Sequence, residues 1–266
     1  MKKRRIVVKV GTSTLTNELG KSNLRTMEKL AMTLSDIQNM GNEVILVSSG
    51  AIAVGANTMH LTEKPTTMRM KQAAAAVGQC TNMFLYDKFF GYYDKIVAQI
   101  LLNAEDIKQE EKKENLTNTF NALLEMGVIP IVNENDSVSY TEIESVDRLF
   151  GDNDMLSAVV AVLCQADLLV IMSDIDGFFD KDPRLFKDAR LIGRIEEIDE
   201  SVYNLAGGAG SRRGTGGMKT KLQAADLATG NGINTIVTNG KNPEVLYDIA
   251  KGSKVGTLFV GKKEYR

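Results

Sequence analysis

Histidine occurs once in this 266-residue chain, cysteine twice and proline four times. A single histidine, His60, leaves little room for a Ser/His/Asp hydrolase or a histidine-ligated metal enzyme, and with no partner motif beside it a plain surface role is expected. Cys80 and Cys164 stand far apart, each within an apolar helical pattern, which suits neither a disulfide framework nor a metal site. Both are expected to be buried free thiols. Long apolar runs are also missing: none reaches the ~18 residues of a membrane span, and no signal peptide precedes the first strand. The expectation is a soluble cytoplasmic protein without a membrane partner. Nor does one sign of charge dominate, since 32 Lys and Arg against 34 Asp and Glu give a formal net charge of −2. The only dense basic cluster, "KKRR" at residues 2–5, reads as a solvated lead-in to a strand, and nucleic acid is not an expected partner. Repeats, low-complexity tracts and Pro/Gly/Ser linkers are absent, which favours one compact domain.

What the chain does have is alternation. Apolar segments such as "RIVVKV", "EVILVSSG", "KIVAQILL", "VIPIVNEND", "DLLVIMSDIDG" and "INTIVTNG" take turns with helical patterns. The helix over 22–41 places Leu24, Met27, Leu30, Ala31, Leu34 and Ile37 on one face and stops at Gly41. Further helices are expected near 66–90, 115–126, 154–165, 220–232 and 243–250. Strands apolar on both faces, separated by amphipathic helices, imply a mainly parallel sheet covered on both sides, an α/β sandwich.

Small polar residues gather where such a sheet binds ligands. "KVGTSTLTN", "VSSGAIAVG", "IVNENDSV" and "IMSDIDG" each follow a strand, and ligands of open parallel sheets sit beyond the carboxyl ends of the strands. A fifth cluster, "GAGSRRGTGGMKTKLQAAD", sets glycines and lysines before a helix, a pattern suited to an anion. It has neither the P-loop spacing nor a dinucleotide fingerprint. The inventory suits phosphoryl transfer to a carboxylate. With a reference pKa of ~4.3, such a nucleophile is already ionised at neutral pH, and the catalyst must position two anions and neutralise their charge.

Taken in order, "VVKVGTS", "VSSGAIAVG", "QAAAAVGQ", "PIVNENDSV", "FGDND", "LSAVVA", "DPR" and "GTGGMKTKLQAAD" resemble the amino acid kinase family along nearly the whole chain, on the branch that phosphorylates free glutamate. The resemblance implies an open, mostly parallel sheet of about eight strands between helix layers. Residues 1–150 would serve mainly glutamate and 151–266 mainly ATP, within a single domain and without the C-terminal PUA domain that many members carry. The implied reaction is ATP with magnesium acting on L-glutamate to give L-glutamyl 5-phosphate, the first step of proline biosynthesis. Lys9 and Lys221 would be the catalytic lysines, and Asp154 the carboxylate that holds both. Ser49, Gly50, Asn133, Asp136 and Asn153 match substrate-binding positions. Lys9, Gly11, Ser173, Asp174, Thr215, Gly216, Gly217, Met218, Lys219, Thr220 and Lys221 match nucleotide-binding ones, and no side chain is expected to ligate a metal. Without the resemblance, Ser49 would be a turn residue, Lys219 a solvated charge and Asp152 or Asp154 a helix cap. The resemblance further implies a homo-oligomer, dimer or tetramer, feedback by proline through the long loop "SVSYTEIESVDRLFGDND", and contact with a glutamyl phosphate reductase.

Overall fold

The computed structural model describes residues 3–17, 20–138, 153–206 and 217–262. Strand β1 (Arg5–Val10) leads to a single turn α1 (Thr12–Leu15) and then α2 (Leu24–Asn39). Strand β2 (Glu43–Val47) leads to α3 (Ala51–Thr58) and α4 (Met68–Gly91), and β3 (Val97–Leu102) to α5 (Ala104–Lys108) and α6 (Glu110–Glu125). The middle is β4 (Ile129–Glu134), α7 (Asn153–Leu163) and β5 (Leu168–Ser173). A short β6 (Arg194–Ile195) precedes α8 (Glu200–Ala206), α9 (Met218–Gly230), β7 (Asn234–Asn239), α10 (Val245–Ala250) and β8 (Thr257–Phe259).

The strands form one eight-stranded sheet in the order β3, β4, β2, β1, β5, β7, β8, β6. Every neighbouring pair is parallel except β7 with β8. This is the open, mostly parallel sheet expected from the sequence. Helices α1, α3, α5 and α8 and strands β6 and β8 were not expected, because segments this short show no full hydrophobic period. The loop expected after β2 is in fact α3, which starts at once behind Gly50.

Side-chain parity divides the core into two layers. On β1, Ile6, Val8 and Val10 face a cluster with α2, α4 and α10, while Val7 faces the cluster formed with α6, α7 and α9. On α2, Met27, Leu30, Ala31, Leu34 and Ile37 are buried as the spacing predicts, each large one contributing about 1.5–3 kcal/mol, but Leu24 in the first turn is exposed. Asn23 caps that helix by accepting a bond from the Thr26 amide.

Helices α3 and α4 touch through backbone. A methyl group on Gly55 would lie 1.7 Å from the Ala74 carbonyl oxygen, and one on Gly78 would lie 1.8 Å from that of Ala51. Only glycine permits this approach. The outer side of α4 is uncovered, so Cys80 is exposed, contrary to expectation, whereas Cys164 is buried and burial pushes its thiol up to about 12. His60 is exposed at the end of α3. Among the described residues no helix is long and apolar enough to cross a membrane.

Candidate active site

The four loops singled out in the sequence follow β4, β2, β1 and β5, which are consecutive in the sheet and parallel. They therefore lie side by side at one edge. Lys9, the next-to-last residue of β1, shares the parity of Val7 and points to the α7 layer, where it is only 5% exposed. Helix α7 brings Asp154 in its first turn, and α9 brings Lys221 in its own first turns. Small residues Ala158 and Ala161 on α7 and Ala224, Ala225 and Ala228 on α9 are all buried and allow the two helices to pack closely.

Asp154 is completely buried and clasps both lysines. Its Oδ1 lies 2.5 Å from Lys9 Nζ, and its Oδ2 accepts from Lys221 Nζ at 3.0 Å and from Thr220 Oγ1 at 3.2 Å. Burial pushes the carboxyl up, but the two ammonium charges outweigh it and hold Asp154 below the usual carboxylate range. Two ammonium groups and one carboxylate give the triad a formal charge of +1, suited to an anion. Gly11 follows β1, and a methyl there would sit 3.5 Å from Lys9 Nζ, so its backbone lies beside the ammonium.

A second polar cluster adjoins the first. Asn153 Nδ2 lies within donating distance of three acceptors, the Ser48 carbonyl at 2.9 Å, Ser49 Oγ at 2.7 Å and Asn133 Oδ1 at 3.0 Å. Asn133 donates in turn to Gln79 Oε1 at 3.0 Å, and the Ser48 hydroxyl pairs with the buried Tyr86 hydroxyl at 2.8 Å. Gly50 starts α3 with a left-handed φ of 90°, which turns the chain sharply behind Ser49. Asp136, just past β4, is partly buried; burial, helped by the charge of Glu134, pushes its carboxyl up to about 6.

On the other flank Ser173 ends β5 and donates to Asp174 Oδ1 at 3.1 Å, with Asp174 exposed. Gly217 is the N-cap of α9, Met218 is half-buried and Lys219 is exposed. The structure thus brings Lys221, and not Lys219, to Asp154. Thr215, Gly216, Asp152 and most of the loop before Asn153 lie outside the described residues. Ser48, Gln79 and Tyr86 border the site but were not singled out; Gln79 closes the quoted "QAAAAVGQ" stretch, the only signal that pointed toward it.

Residues 4–239 match the model of the amino acid kinase family. This chain belongs to the amino acid kinase family. Among curated relatives of this amino acid kinase, the glutamate 5-kinase of Clostridium perfringens is 57% identical over 260 residues, covering 98% of this chain and 96% of the relative. That of Listeria innocua is 52% identical over 261 residues, covering 98% and 94%. The glutamate 5-kinase of Caldanaerobacter subterraneus is 51% identical, but the match covers 97% of this chain and 68% of that longer relative. Among solved structures, UMP kinase from Bacillus anthracis shares 18% identity with a TM-score of 0.64, covering 98% of this chain and 97% of the other. Isopentenyl phosphate kinase from T. acidophilum also shares 18% with a TM-score of 0.64, covering 96% and 99%. Both likenesses concern the fold.

Proposed function

We propose that this amino acid kinase transfers the γ-phosphoryl group of ATP to the γ-carboxylate of L-glutamate, giving ADP and L-glutamyl 5-phosphate, the first step of proline biosynthesis. The observation that carries the reading is the buried clasp of Asp154 on Lys9 and Lys221, set between a cluster suited to an amino acid and an edge suited to phosphate. The relatives named glutamate 5-kinase supply the substrate.

In this reading Asp136 pairs with the substrate ammonium, while Ser49, Asn133 and Asn153, with the backbone at Gly50, orient the carboxylates. Gly11, Ser173, Asp174 and the stretch from Thr215 through Lys221 hold the nucleotide. Residues 1–150 thus serve mainly glutamate and 151–266 mainly ATP, with Asn153 and Gly11 crossing over. The attacking carboxylate is ionised at neutral pH and needs no general base. Lys9 and Lys221 stabilise the charge that spreads over the oxygens in transfer, and Asp154 fixes them in advance so that neither must reorganise. In this reading a magnesium ion would be carried by the nucleotide's own phosphates and water, in keeping with its reluctance to shed its hydration shell. That ion, when bound, neutralises phosphate charge. The reading extends to a cytoplasmic homo-oligomer subject to proline inhibition, and to a glutamyl phosphate reductase that consumes the labile product.

Trapping with hydroxylamine tests it. Given ATP and magnesium, the protein should yield hydroxamate with L-glutamate, little with N-acetylglutamate, whose acetyl group leaves Asp136 unpaired at a cost of ~1–3 kcal/mol, and little with aspartate, whose shorter side chain holds its carboxylate back from the transfer site. Equal turnover of N-acetylglutamate would move the assignment to another acceptor, and no hydroxamate with any of the three would overturn it.

A further inference from the structure

The amide chain that begins on α4 and ends at Ser49 has a direction. Asn133 gives its Nδ2 hydrogen to Gln79 Oε1, so its Oδ1 faces the other way and accepts from Asn153. Asn153 consequently turns its Nδ2 toward Ser49 Oγ and the Ser48 carbonyl as well, its two hydrogens shared among the three acceptors. Ser49 Oγ, accepting from Asn153, has its single hydroxyl hydrogen left to donate. A hydroxyl oriented in this way suits an anionic acceptor such as a carboxylate. Reversing any one amide would place one amide nitrogen against another, or an amide oxygen against the Ser48 carbonyl, so the bonds stand or fall together.

The end of the chain fixes the rest. Asn133 and Asn153 each have a neighbour on both sides, and Gln79 is the anchor, a half-buried side chain one residue beyond the glycine that locks α4 to α3. We infer that Gln79 is a positioning residue for the acceptor substrate: through Asn133 and Asn153 it orients the Ser49 hydroxyl for donation to a carboxylate of glutamate. The inference rests on the assignment of Ser49, Asn133 and Asn153 to the acceptor subsite in the preceding reading. The hydrogen bond of Gln79 goes to Asn133, on the amino-acid side, so its effect is expected there.

Steady-state kinetics of the full chain test this. Gln79→Met removes the acceptor at nearly constant size and should raise KM for glutamate about 10- to 100-fold, while KM for ATP and kcat at saturating glutamate stay within about 2-fold. Gln79→Lys, which can only donate, should act in the same direction and serves if the Met variant fails to fold. Gln79→Glu keeps an oxygen acceptor for Asn133 and should stay within about 3-fold of the unaltered protein. In an Asn133→Ala background, Gln79→Met should add nothing further, because its route to Ser49 has already been cut. An unaltered glutamate KM in Gln79→Met, equal loss in the Met and Glu variants, or full additivity with Asn133→Ala would overturn the inference. If the unaltered protein forms no glutamyl hydroxamate, it is the assignment of function that fails. The two failures are therefore distinguished by the control.

Discussion

Asp154 sits where a sequence reading expects a helix cap, in the first turn of α7, and an asparagine would cap nearly as well. The structure changes that expectation, because replacing this carboxylate leaves two buried ammonium groups facing each other. Breaking such an arrangement costs about 3–5 kcal/mol. Asp154→Asn should therefore lower the melting temperature clearly at pH 7 and reduce kcat ~10²- to 10³-fold, whereas a capping role would leave both near normal. The pH sign follows from the depressed carboxyl. Its contribution is complete above its ordinary value of 3.8 and is lost as pH falls through its lower folded value. The stability gap between Asp154→Asn and the unaltered protein should accordingly narrow below about pH 4 in melting curves. Asp136 has the opposite sign: its folded value is raised to about 6, so the neutral form is favoured and its ionisation weakens the fold as pH rises from 3.8 toward 6. Pairing with a substrate ammonium requires the ionised form. A profile of kcat/KM for glutamate should fall about tenfold per pH unit below that inflection, and Asp136→Asn should lack the inflection altogether. The residue types of this site could be read from the sequence, but burial, which decides these signs, could not.

Helices α3 and α4 show the same division at the level of elements. The long apolar pattern of α4 was legible, but α3 was hidden in a run of small residues that looks like a turn, and its left-handed start at Gly50 depends on backbone rather than side-chain pattern. The glycines at the crossing gave no periodic signal at all. A methyl at Gly55 or Gly78 meets carbonyl oxygens that cannot step aside, so Gly55→Ala and Gly78→Ala should each destabilise by about 1–3 kcal/mol or more in denaturant melts. Because Ser49 lies just ahead of α3, before its cap Gly50, and α4 carries Gln79, KM for glutamate should rise in the same variants. Gly91→Ala, at the end of α4 with open space around it, is the control and should change neither quantity appreciably.

Across the whole molecule, the alternation of buried strands with amphipathic helices made the sheet legible, since segments apolar on both faces have few other ways to be covered. The order of strands was not legible, because each of the four central strands carries a similar apolar run and nothing local says which pairs with which. Lys9 shows what the order adds: its parity places it on the α7 face, but only the seating of β1 between β2 and β5 puts that face under Asp154. The clasp spans 67 residues from Asp154 to Lys221, and joins both to the first strand. During synthesis from the amino end, β1 to β5 can assemble while α9 is still being made. In a nascent chain that had folded that far, Lys9 and Asp154 alone would make a pair of equal and opposite charge. The surplus positive charge that would attract phosphate comes from Lys221, so the growing polypeptide would lack that charge until α9 had docked.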